Sequence, residues 1–234
     1  MNKKIFSLLI LLSSTAIANF SDSFPNVTDH IYLPSEHIKI NYDPSIVVLL
    51  DKPHPKRKEY LDSGVYISRP LKFKFTNSDS LWTVVDCDSG GSADPSCTFY
   101  QEKNNGDLIQ LGNIAGSNFI LTGNSNIYTT GIQNQFFSKT DKYTLAHSRL
   151  VAVKQPFYSV NLKTKTRDPI VIYADTLLQK HVANIARGSS VNVLINNGDF
   201  YLVESPTGLT GWYKLDSSVS KDTTPLEDLY MHGD

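Results

Sequence analysis

The chain has 234 residues, of which 40% are hydrophobic, 11% aromatic and only 19% charged. That balance excludes a disordered chain, and 12 Tyr with 11 Phe favour strands. Lys+Arg (22) against Asp+Glu (23) leave a net charge of −1, which excludes the basic field that nucleic acid or an anionic membrane surface requires.

Residues 1–18 read as a secretory signal peptide of bacterial type. Lys3 and Lys4 form a short basic start, residues 5–12 are apolar, and Ala16-Ile17-Ala18 is an A-x-A cleavage site. The apolar run is too short to cross a bilayer, and no Cys beside the cleavage site offers a lipid anchor. No later stretch is long and apolar enough for a transmembrane helix. The expected mature chain is therefore periplasmic or secreted. Without Lys3 and Lys4 it has twenty basic and 23 acidic residues, a net charge of −3.

Residues 19–60 are punctuated by Pro25, Pro34, Pro44, Pro53 and Pro55, and only residues 45–50 read as a strand. The basic run at residues 52–58 reads as a solvated loop rather than a polyanion site. From Arg69 onwards strand follows strand. Leu71, Phe73 and Phe75 alternate with Lys72 and Lys74, the pattern of a half-buried strand. Residues 81–87 and 97–101 follow, and Cys87 and Cys97 are expected to form a disulfide in an oxidising compartment. Asn104-Asn105-Gly106-Asp107 predicts a hairpin with a type I′ turn centred on Asn-Gly. Further strands are expected at 107–111, 117–122, 125–130, 142–145, 149–154 and 157–162. This spacing predicts an all-β sandwich or open barrel over residues 19–165, behind a proline-rich arm.

The polar segment 163–168 is the expected domain boundary, followed by a second module at 166–218. Residues 169–173 form a β-branched run. Val191 and Val193 begin an alternating strand, Asn196-Asn197-Gly198-Asp199 turns, and residues 200–204 return. After a turn at 205–208 the last strand is 210–214. Five short strands in about 48 residues bury their faces only by curling into a small barrel. Residues 175–187 contain no Gly or Pro. Locally they fit a helix capped by Asp175; the flanks fit a loop followed by a strand at 181–186, which is the expected structure.

Gly188 before Val191 and Val193, the run Gly198-Asp199-Phe200-Tyr201-Leu202-Val203, and Gly208-Leu209-Thr210-Gly211-Trp212 resemble the bacterial SH3 (SH3b) domain. The resemblance covers about a fifth of the chain. It implies a small C-terminal SH3-like barrel and cell-wall peptide as a ligand class. Where that family carries Asn-Val-Arg after its first strand, this chain has Asp175-Thr176-Leu177-Leu178-Gln179. Residues 219–234 form a polar acidic tail, expected to fray apart from one short turn near residues 225–230.

Catalytic equipment is sparse. Asp88-Ser89-Gly90-Gly91 is similar to the nucleophile motif of chymotrypsin-type proteases, but Cys87 precedes it, Ser92 follows it, and no Ala-Ala-His-Cys stretch lies upstream. Asp86, Asp88 and Asp94 lack the bidentate Glu of a calcium loop. The six His form no metal-binding cluster, and no phosphate loop occurs. The chain is therefore read as a non-enzyme with no catalytic residue, no metal and no cofactor. SH3-like barrels bind extended peptides over aromatic-lined grooves, and Tyr173, Tyr201, Trp212 and Tyr213 are the candidate ligand-binding residues, with about half of such strand aromatics expected in the core. The expected function is an exported non-catalytic binding protein whose SH3b-like module takes cell-wall peptide. A periplasmic adaptor, inhibitor or immunity-type protein with a protein partner is the alternative, followed by a hydrolase.

Overall fold

The computed structural model describes residues 23–34, 36–49, 71–88, 94–132 and 134–232. The signal-peptide region, the basic run at 52–58 and residues 89–93 lie outside them. Among the described residues the fold is all-β, with three sheets.

Strands β1 (Asp29–Leu33) and β2 (Ile38–Tyr42) open the first sheet as an antiparallel pair. Strands β3 (Val47–Leu49), β4 (Leu71–Phe73), β5 (Thr83–Asp88), β6 (Ser96–Glu102) and β7 (Leu108–Ala115) form the second sheet in sequence order. The chain then returns to the first sheet with β8 (Asn118–Leu121), which pairs with β2 in parallel, and continues through β9 (Asn126–Gly131), β10 (Lys139–Ala146) and β11 (Arg149–Ala152). The two sheets stack as a sandwich. Ile38, Ile40 and Tyr42 alternate inwards from β2, and Phe99 of the second sheet meets Phe119 of the first at 6.2 Å. Cys87 and Cys97 are direct register partners across β5 and β6, are bonded, and are 4% and 0% exposed. The disulfide is thus part of the sandwich core.

The N-terminal arm departs from expectation. Pro34 and Pro44 punctuate it, yet β1 and β2 form around them, because both prolines lie outside the paired residues and Leu33, Ile38 and Ile40 reach a core built largely by later strands.

Strands β12 (Tyr158–Lys165), β13 (Ile170–Tyr173), β14 (His181–Ile185), β15 (Ser190–Asn197), β16 (Phe200–Glu204) and β17 (Thr210–Lys214) form the third sheet, in the order β12-β15-β16-β17-β13-β14. It curls around a second core of Ile170, Ile172, Ile185, Val191, Val193, Tyr201 and Val203. Residues 175–187 are a turn plus a strand, not a helix: the Leu177 amide donates to Asp175 Oδ1 at 2.9 Å, the Ala174 amide donates to the Lys180 carbonyl, and β14 follows.

The boundary at 163–168 falls one strand late, because β12 runs to Lys165 and pairs with β15 in the third sheet. Strand β12 therefore belongs with the C-terminal strands. The tail does not fray: Thr224, Leu226 and Leu229 are each 0% exposed. The Glu227 amide donates to the Lys165 carbonyl and the Arg167 amide to the Pro225 carbonyl, so the tail occupies ladder groups beside β12 that an open edge leaves to other chains. The tail also pairs with the connector before β10, where Gln135 bridges to His232 and Phe136 and Phe137 pack on Tyr201.

The two identical Asn-Asn-Gly-Asp tetrads make different turns, and neither centres on Asn-Gly in type I′. In the β6–β7 hairpin the Gly106 amide donates to the Lys103 carbonyl and the Lys103 amide to the Asp107 carbonyl, a three-residue loop with Gly106 left-handed at φ +80°. In the β15–β16 hairpin Asn197 pairs with Phe200, so Gly198 (φ +61°) and Asp199 form the two-residue loop, with Gly in the first position as type II′ requires. Strand register, set by the buried faces on either side, decides which residues turn.

Candidate functional site

Side chains alternate across a strand, and register partners share a face. On β16 Tyr201 and Val203 are buried, while Phe200, Leu202 and Glu204 point the other way. Tyr213 is the register partner of Tyr201 and packs on the same core. Burial drives the Tyr201 hydroxyl far above its ordinary pKa near 10, with the Asp199 charge second; burial also raises Tyr213, with Asp168 second. These two candidates face the second core, and Tyr201, 3% exposed, offers no ring to a ligand. The sequence does not distinguish them from the other two because the register is set by strands far apart in the chain.

Tyr173 and Trp212 lie on the opposite, solvent-facing side. A continuous row of register partners crosses all six strands there: Ser159 with Ile195, Ile195 with Leu202, Leu202 with Trp212, Trp212 with Tyr173, and Tyr173 with His181. Ile195, Leu202, Trp212 and Tyr173 are all partly exposed. Phe157, 50% exposed, extends the row with its ring 6.5 Å from that of Trp212, and His181 meets Tyr173 edge-on at 6.4 Å. The row is apolar over four adjacent strands on a face that water would otherwise select to be polar. Ile195, Leu202 and Phe157 were not singled out from sequence. Leu202 was within reach, since it alternates with the buried Tyr201 and Val203.

One step along the strands the face becomes polar. Thr210, Glu204, Asn192 and Lys163 form the next register row, and Asn192 Nδ2 donates to Glu204 Oε2 at 2.6 Å. This row opens into a cleft of about 640 Å³ walled by Lys163, Lys165, Glu204, Pro206, Glu227 and Asp228.

Elsewhere the chemistry is thin. Among the described residues no three His, Cys, Asp or Glu side chains converge on a point that would hold a metal. Asp86 is buried within β5 at 7% exposure. The Ser89-Gly90-Gly91 part of the protease-like motif lies outside the described residues. Also among the described residues, no helix is long and apolar enough to cross a membrane. In comparisons with protein-family models, curated proteins and solved structures, nothing matches the chain.

Proposed function

We propose that this is an exported, non-catalytic binding protein whose third sheet docks an extended peptide of the bacterial cell wall on its solvent face. The observation that carries the reading is the row Ile195–Leu202–Trp212–Tyr173, aligned in register across four neighbouring strands. Two rigid rings and two aliphatic side chains in line supply contact area with little rotamer entropy to lose, as aromatic-lined peptide sites do. Export is supported by the signal-like sequence of residues 1–18 and by the disulfide, which persists in oxidising compartments. The resemblance of residues 188–212 to SH3b domains supports cell-wall peptide as the ligand.

The test is sedimentation of the purified protein with isolated peptidoglycan sacculi. Wild type is expected in the pellet, with Trp212→Ala and Tyr173→Ala left in solution while still folded. Failure of wild type to sediment, together with retention of a periplasmic polypeptide on immobilised protein, would replace this reading with that of an adaptor or inhibitor.

A further inference from the structure

The cleft beside the apolar row has an unusual charge arrangement. Lys163 and Lys165 are two apart on β12, so their Cα atoms are about 6.6 Å apart on one face of the strand. Glu204 comes from β16, and Glu227 and Asp228 from the tail that lies against β12. Among the described residues none of these five charges takes part in a salt bridge; the ion pairs there are Lys72–Glu102 and Lys139–Asp141. Two ammonium groups and three carboxylates thus line one cavity with no direct ion pair among them. Glu204 is held towards the cleft by its hydrogen bond from Asn192. A site of this kind complements a ligand that carries both signs and discriminates against one that carries either alone.

We propose that the cleft binds a short zwitterionic peptide, with its free carboxylate held by Lys163 and Lys165 and its free ammonium by Glu204, Glu227 and Asp228. This deepens the peptide-binding reading and rests on it, since the cleft continues the same face through the row Thr210–Glu204–Asn192–Lys163. The volume, about 640 Å³, is in the range that small-ligand sites occupy and accommodates two or three residues. Capture of both chain ends restricts the site to fragments whose termini are free, as a hydrolase would release them.

The probe is trialanine, titrated into the isotopically labelled protein in four forms: both ends free, N-acetylated, C-amidated, and blocked at both ends. The free peptide is expected to shift the amides of Asn192, Glu204 and Glu227. Blocking either end is expected to weaken binding about tenfold, the equivalent of roughly one charge-assisted hydrogen bond. The double variant Lys163→Ala/Lys165→Ala should lose the preference for a free carboxylate, and Glu227→Gln/Asp228→Asn the preference for a free amine. Equal binding of free and doubly blocked peptide, or no shift at these amides at millimolar concentration, would overturn the proposal. If longer peptides bind through Trp212 while trialanine does not bind, the row stands and the zwitterion site falls. If trialanine binds as described and Trp212 proves irrelevant to longer peptides, the reverse holds.

Discussion

Tyr173 and Trp212 are the single register pair that joins β13 to β17, so the narrowest junction of the third sheet and the proposed ligand face meet at these two residues. The approach depends on the neighbouring glycine. A Cβ on Gly211 would lie 2.9 Å from the Tyr173 carbonyl oxygen and 3.0 Å from Ile172 Cβ. A glycine before a strand aromatic marks close backbone approach, and that is its role at this junction.

Gly211→Ala should therefore push β17 away from β13. The expected cost is roughly 1–3 kcal/mol, the usual range for overpacking against backbone. Thermal unfolding checks this, and an unchanged melting temperature would show that the junction is looser than the register implies.

Trp212 faces outward and is partly exposed. Its replacement by Ala should cost about 1–2 kcal/mol, well below the roughly 3–5 kcal/mol of a fully buried ring, and leave the third sheet folded. Tyr201→Ala, at 3% exposure, should instead unfold or severely weaken it. Parallel denaturant titrations of the two variants test the assignment of faces: equal losses would contradict it.

Alkaline pH should destabilise the third sheet and its core in a defined direction. The folded state holds the Tyr201 proton more tightly than the unfolded chain, whose tyrosine titrates near 10. Stability from this group is complete below pH 10 and falls as pH rises above it, because the unfolded state then binds fewer protons. Tyr213, also raised by burial, adds to the same slope. Tyr201→Phe should flatten the fall in unfolding free energy measured between about pH 9.5 and 11.5. A variant slope as steep as wild type would place the titration elsewhere.

The tail is structural. Leu226 and Leu229 are fully buried in the second core, so Leu226→Ala and Leu229→Ala should each cost about 2–5 kcal/mol. Deleting residues 219–234 should destabilise the C-terminal sheet and uncover the edge of β12, with aggregation measured by light scattering as the readout.

The parts of the fold that sequence shows are those with local causes. Leu71, Phe73 and Phe75 alternate, the two Asn-Asn-Gly-Asp tetrads turn the chain, and Cys87 and Cys97 meet across one hairpin. What sequence hides depends on distant partners. Strand β2 pairs in parallel with β8, 77 residues from Asn41 to Asn118, and nothing near Pro34 signals it. The tail looks polar because only Thr224, Leu226 and Leu229 are buried among solvated neighbours. The four candidate aromatics are indistinguishable by composition. Register alone sends Tyr201 and Tyr213 inward and Tyr173 and Trp212 outward.

Docking on the solvent face of the third sheet is tested by titrating labelled protein with soluble cell-wall peptide fragments, read from backbone amide shifts and the Trp indole. Docking there predicts shifts at Ile195, Leu202, Trp212 and Tyr173 beside those of the cleft, with the shifts of the row lost in Trp212→Ala without loss of fold. Shifts confined to the sandwich strands β1–β11, or a full response retained by Trp212→Ala, would contradict it.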